Sequence, residues 1–230
     1  YYWEMKALFR KVGSYEKLSQ VAALEVKKKI QGGNQVNLGL PTGGTPIGMY
    51  GELIRDEHLF WWNVSTFNLD EYVGIDSNHP ESYVNFMKRN LHDHIDIDLF
   101  NVWFPHNTKD YDEMIDGLGG LDLTILGIGT NGHIAFNEPG SPFDSKTRIV
   151  NLDKQTIEDN SRFFSSIDEV PTKAITMGLD TIMKSREIVL IAQGKNKLEI
   201  IQKAMFGDIT EEVPASILQN HENLTILYCE

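Results

Sequence analysis

The sequence predicts an α/β fold, with a mainly parallel sheet and helices on both faces. Three observations carry the prediction. Short apolar runs alternate with helix-like segments along the whole length, the pattern of strand–helix–strand crossovers. The chain has 230 residues, of which 41% are hydrophobic, enough for a substantial core. No internal repeat, low-complexity run or linker interrupts it, so residues 1–230 read as one domain.

Ser14 is placed to cap a helix with apolar positions at Leu18, Val21, Ala22, Val26 and Ile30, ended by Gly32 and Gly33. Val36 to Leu40 follows as a strand. Thr45 as N-cap and Pro46 at the first helical position predict a helix through Tyr50, Leu53 and Ile54. Val64 to Leu69 is the next strand and runs directly onto Asp70-Glu71. Helical spacing covers Ser82 to Ile95 and, more weakly, Asp110 to Leu118. Leu121 to Ile128 is a buried strand. Residues 140–160 read as irregular, and 140–170 as a mobile lid, because long loops in compact domains are usually functional. Pro171 to Ser185 is expected as a helix, Glu187 to Ala192 as a strand and Lys195 to Phe206 as a helix. Pro214 to Gln219 reads as a helical turn and Leu224 to Cys229 as the last strand.

Composition excludes some functions. A formal net charge of −12 argues against a nucleic-acid partner, because a phosphate backbone is gripped by clustered Lys and Arg. A small anionic substrate remains compatible. No apolar run approaches the roughly 20 residues of a membrane span, so no membrane partner is expected. Tyr1 to Met5 lacks signal-peptide character. The single cysteine, Cys229, allows no internal disulfide, in keeping with a reducing compartment. The expectation is a soluble cytoplasmic protein. The seven histidines are scattered, and His92 with His94 is not a helical i, i+4 pair, so no metal site is expected.

Four stretches could carry chemistry. Thr42-Gly43-Gly44-Thr45 joins a strand to a helix N-terminus, where free amides and the helix dipole suit an anion; it could equally be an ordinary capped turn. Asp70-Glu71 ends a strand, at the sheet edge where α/β ligands bind. A carboxylate there can shuttle a proton between adjacent carbons, or it can simply be a surface turn. Leu126 to Gly140 contains Gly127-x-Gly129-x-x-Gly132 after a strand, but Pro139 and Gly140 stop the helix that a dinucleotide site needs. The same stretch can present His133 as a general acid-base beside Asn131 and Glu138, or bury it as a core histidine. Arg162 and Lys197 are either solvated charges or the partners an anionic substrate needs in so acidic a chain.

Taken together, Leu-Pro-Thr-Gly-Gly-Thr-Pro (40–46), Asn-Leu-Asp-Glu-Tyr-Val-Gly (68–74), Pro-Glu-Ser-Tyr (80–83), Gly-His-Ile-Ala-Phe-Asn-Glu-Pro-Gly (132–140), Asn-Ser-Arg-Phe-Phe (160–164) and Glu-Glu-Val-Pro-Ala-Ser-Ile-Leu-Gln (211–219) closely resemble the glucosamine-6-phosphate deaminase family. The likeness spans nearly the whole chain, in order. It implies a Rossmann-like three-layer domain shared with sugar-phosphate isomerases and lactonases. It also implies conversion of glucosamine 6-phosphate and water to fructose 6-phosphate and ammonia, with no metal or organic cofactor. By resemblance, Thr42, Gly43, Gly44 and Thr45 hold the phosphate, with Arg162 and Lys197 closing over it. His133 opens the sugar ring, oriented by Glu138 and Asn131, and Asp70 carries a proton from C2 to C1.

Two departures from the family pattern stand out. Some members have Asp where this chain has Asn131, which can accept a hydrogen bond from the ring but adds no charge. Allosteric, hexameric members use a basic cluster near 148–150 and a C-terminal tail. Here Arg148 is followed at the alternate position by Val150, and the sequence ends at Glu230. The expectation is therefore a monomer without activation by N-acetylglucosamine 6-phosphate. Two other functions suit the same fold: a 6-phosphogluconolactonase-like hydrolase, and a non-catalytic sugar-phosphate sensor domain. The intact segments around Asp70 and His133 favour the deaminase over both.

Overall fold

A computed structural model describes residues 7–105 and 110–230. The Tyr1–Met5 segment discussed above lies outside them. The elements run β1 (Leu8–Lys11), α1 (Tyr15–Ile30), β2 (Val36–Leu40), α2 (Ile47–Ile54), β3 (Val64–Asn68), β4 (Asp70–Tyr72), α3 (Tyr83–Asn90), β5 (Val102–Trp103), α4 (Tyr111–Gly117) and β6 (Leu123–Leu126). They continue with β7 (Arg148–Asn151), α5 (Lys154–Ser161), β8 (Lys173–Thr176), α6 (Leu179–Met183), β9 (Ile188–Gln193), α7 (Leu198–Phe206) and β10 (Leu224–Cys229).

Seven strands form one sheet in the order β1-β10-β9-β6-β2-β3-β5, and every recorded pair is parallel. Its two faces are apolar because its strands alternate between two cores. Ile188, Leu190 and Ala192 of β9 pack on the side of α4, α6 and α7. Val189 and Ile191 face the side of α1, α2 and α3. The three layers expected from the sequence follow from this period of two with both faces covered. Helix α1 forms as predicted: the Ser14 hydroxyl accepts the Lys17 amide at 3.1 Å, and Leu18, Ala22, Val26 and Ile30 are buried. Glu16 in its first turn and Lys27 to Lys29 in its last complement the helix dipole.

A second, three-stranded antiparallel sheet, β4-β8-β7, was not foreseen. It decides between two alternatives at one place and overturns expectations at two others. Asp70-Glu71 is not a surface turn but the start of β4, reached one residue after β3 ends. The irregular 140–160 stretch contains β7 and most of α5. The helix expected over Pro171–Ser185 is instead the strand β8 followed by the short helix α6. A short apolar run has no period that tells strand from helix. Here the β-branched Ile175 and Thr176 pair with strands on both sides, and that pairing decides.

Other boundaries move less. Helix α2 starts at Ile47 with Pro46 as its cap, and no side chain caps it, so Thr45 does not have the capping role expected of it. Helix α3 ends at Asn90, and a 3-10 turn over His92–His94 replaces the rest of the expected helix. Pro214–Asn220 is likewise 3-10. The strands β1 and β5 are additions at the two sheet edges.

Candidate active site

Strands β2 and β6 are neighbours, but the chain leaves β2 toward β3 and β5 and later enters β6 on the other side. The loops after β2 and β6 therefore diverge, and a crevice opens at the C-terminal edge of the sheet. A cavity of about 600 Å³ occupies it. Its walls include Thr42, Gly43, Gly44, Thr45, Asp70, His133, Arg162 and Lys197. Eight residues singled out in the sequence thus converge on one space. Asn131 and Glu138 stand behind His133 rather than in the wall.

The loop after β6 is shaped around the His133 ring. A Cβ on Gly129 would lie 2.2 Å from the imidazole, so glycine is needed for the ring to lie against the backbone. Gly132 has φ +87°, and a Cβ there would meet Val213 at 2.8 Å. The glycine spacing that mimics a dinucleotide fingerprint is thus set by a histidine and a packing contact. His133 Nδ1 lies 2.8 Å from the Asn131 carbonyl oxygen and 3.3 Å from Glu138 Oε2. The Asn131 amide donates to the same Glu138 oxygen at 2.9 Å, and the Thr156 hydroxyl donates to the other at 2.6 Å. Burial opposes ionisation of Glu138, but the bonds from His133, Thr156 and Asn131 outweigh it and hold the carboxyl down at about 2. The charge that Asn131 lacks is therefore supplied by Glu138, and Nδ1 carries the proton that both accept. Nε2 is left to face the cavity.

The adjacent carboxylates Asp70 and Glu71 point to different tasks. Glu71 turns away and accepts the amides of Tyr83 at 3.0 Å and Val84 at 3.0 Å, closing the first turn of α3. Asp70 is buried in the cavity wall. Burial, and then the nearby Glu71 charge, push it up to about 8. That brings it within reach of neutral pH for proton exchange.

The other end of the cavity suits an anion. Among the described residues, the amides of Gly43, Gly44 and Thr45 donate to no protein acceptor. Lys197 donates to the Ile128 carbonyl at 2.7 Å, which aims its ammonium along the wall. Burial lowers the Lys197 pKa; Asp159 opposes this, and the Arg162 charge adds to it. Two cations that line the same cavity as free amides gain when an anion arrives.

Residues 12–227 match the family of glucosamine-6-phosphate isomerases and 6-phosphogluconolactonases. The chain belongs to that family. Within it, a relative from Clostridium perfringens (strain SM101) named glucosamine-6-phosphate deaminase is 46% identical over 228 residues, covering 94% of each chain. Another so named, from Lysinibacillus sphaericus, is 48% identical over 228 residues, covering 94% of this chain and 96% of the relative. A solved monomeric glucosamine-6-phosphate deaminase superposes with a TM-score of 0.94 at 42% identity over 97% of each chain. A putative 6-phosphogluconolactonase from Neisseria gonorrhoeae shares the fold, with a TM-score of 0.70 at 24% identity over 97% of this chain and 99% of that one.

Two tyrosines that motif reading alone did not single out also line the cavity. The rings of Tyr72 and Tyr83 pack at 4.9 Å between centroids, tilted by 49°. The Tyr72 hydroxyl accepts from Asn160 at 2.9 Å. Burial raises Tyr72 to about 12, so it stays neutral. Both tyrosines were visible within the 68–74 and 80–83 motifs, but nothing in the sequence placed them against each other. No helix among the described residues is long and apolar enough to cross a membrane.

Proposed function

We propose that the chain is a glucosamine-6-phosphate deaminase, releasing ammonia and fructose 6-phosphate from glucosamine 6-phosphate and water. The observation that carries this reading is the pairing, in one cavity, of a basic buried carboxylate with a histidine–carboxylate relay, opposite an anion-binding loop. A cyclic sugar phosphate has use for all three: an anchor, a ring-opening group and a group that moves a proton between C2 and C1. The identity to deaminases above supports it further.

The phosphate rests on the Gly43, Gly44 and Thr45 amides, beside the Thr42 side chain, and Arg162 and Lys197 close over it. His133 Nε2 takes the proton of the anomeric hydroxyl and returns it to the ring oxygen as the C1–O5 bond breaks. The imidazolium formed in between is stabilised by Glu138, which stays ionised down to about pH 2. Asn131 fixes the ring through Nδ1. Asp70 then takes the proton from C2 while O1 gains a proton that the C2 ammonium gives up, and Asp70 delivers its proton to C1 of the resulting enolamine, leaving an imine at C2. Water adds to that carbon, the carbinolamine collapses and ammonia departs. Each proton-transfer group contributes roughly 10²–10⁴-fold. Positioning by the phosphate anchor and electrostatic stabilisation add the remainder.

The chain works in this reading as one domain and as a monomer. Its lid lies within 140–170. Bonds from Thr156 to Glu138 and from Asn160 to Tyr72 tie α5 down. The moving part is therefore the stretch that follows it, which carries Arg162 stacked on the exposed Phe163 ring at 4.7 Å. The deciding experiment is ammonia release from glucosamine 6-phosphate, with galactosamine 6-phosphate as control. No ammonia, together with hydrolysis of 6-phosphogluconolactone, would replace this reading with the lactonase one.

A further inference from the structure

The second sheet places three residues in one row. Asp70 of β4 pairs with Thr176 of β8, and Thr176 pairs with Arg148 of β7. The two residues beyond Asp70 both reach the turn between His133 and Glu138. The Thr176 hydroxyl accepts the Phe136 amide at 3.0 Å. Arg148 donates to the Asn137 side-chain oxygen at 2.8 Å. Asn137 is fully buried, and its amide spans the Ile134 carbonyl at 3.1 Å and the Met177 carbonyl at 2.8 Å. The Met177 amide in turn donates to the Leu69 carbonyl at 2.7 Å, immediately before Asp70.

The turn needs this hold. Ala135, in the cavity wall, has φ +50°, a left-handed conformation that a non-glycine residue adopts at a cost. Glu138 follows the turn directly and His133 precedes it. A shift in the turn therefore changes the separation of the relay from Asp70.

We propose that Thr176 and Arg148 are positioning residues that set the geometry between Asp70 and the His133–Glu138 pair. This rests on the deaminase reading above. Neither residue is among those that line the cavity. The small sheet acts as a gauge between the ring-opening and proton-transfer groups, and the phosphate anchor lies outside it.

The test compares Thr176→Val, Thr176→Ser and Arg148→Met with the wild type in steady-state ammonia release, with inorganic phosphate as a competitive probe of the anchor. Wild-type turnover of glucosamine 6-phosphate checks the deaminase reading separately. The expected result is a fall in kcat of tenfold or more for Thr176→Val and Arg148→Met, with KM and the phosphate inhibition constant within twofold. Thr176→Ser, which keeps the acceptor, is expected to restore most of the rate. A kcat within twofold of wild type in Arg148→Met, or in folded Thr176→Val, overturns the proposal. So does an equal loss of kcat and phosphate affinity, which marks general loosening of the site. Arg148 is only half-buried, so its variant keeps the test open if Thr176→Val fails to fold.

Discussion

Asp70 and Glu71 are chemically alike, adjacent and both buried, yet their partners set them apart. Glu71 is satisfied by backbone amides, whereas Asp70 is pushed up to about 8. Raising a carboxyl above its unfolded value means that the folded chain prefers the protonated form. That preference is complete below about pH 4 and is lost as pH rises through about 8. Asp70→Asn should therefore lower turnover by 10²-fold or more, at the scale of a lost general base (roughly 10²–10⁴), while leaving phosphate binding intact. It should also melt no higher than wild type near pH 3.5 but higher at pH 8. A variant with near-normal turnover would remove Asp70 from the proton-transfer step. Glu138 has the opposite sign: held down at about 2, it contributes stability above its ordinary range that is lost only as pH falls toward 2. Gly129 offers a steric test at the same scale. Gly129→Ala places a methyl 2.2 Å from the His133 ring, whereas a Cβ on Gly127 meets nothing within 4 Å. The first should lose tenfold or more in kcat/KM and the second should stay within about twofold; equal effects would show that the ring does not depend on that contact.

At the scale of elements, α3 is held by what precedes it. Ser82 caps it through the Asn85 amide at 3.0 Å, and Glu71 reaches its first amides from β4. Glu71→Ala should cost roughly 1–3 kcal/mol of stability, the price of buried donors left unpaired, and thermal melting reads it directly. An unchanged melting temperature would mean that water replaces the carboxylate without penalty. The elements around Glu71 were also the hardest to read from sequence. Strands β4, β7 and β8 are each three or four residues long, and none shows a clear period. The buried parallel strands were legible because their apolar runs lie between good turn signals. Helix α5, capped by Asp153 through the Gln155 amide at 3.1 Å, has polar residues nearly throughout and a single buried Thr156, so no apolar stripe announced it.

At the scale of the molecule, the switch in strand order between β2 and β6 places two glycine-bearing loops on either side of one crevice. One presents amides to an anion and the other presents His133. The proposed monomer should elute from size exclusion as a single chain across a hundredfold range of concentration. Its rate curve with glucosamine 6-phosphate should be hyperbolic and unchanged by N-acetylglucosamine 6-phosphate. A sigmoidal curve that the effector makes hyperbolic would overturn both statements, because cooperativity requires coupled sites.

By itself the sequence determined the layer architecture, the glycine turn at Thr42 to Thr45 between a strand and a helix, and the local cluster of Asn131, His133 and Glu138. These depend on apolar period, on turn chemistry and on residues within a few positions of each other. Only the tertiary structure decided that Asp70 lines the cavity while Glu71 turns to the amides of α3, why Gly129 and Gly132 are glycines, and that Asp70 shares a strand row with Thr176 and Arg148. Desolvation, close approach and cross-strand register are sums over neighbours distant in the chain, and no local pattern of residues encodes them.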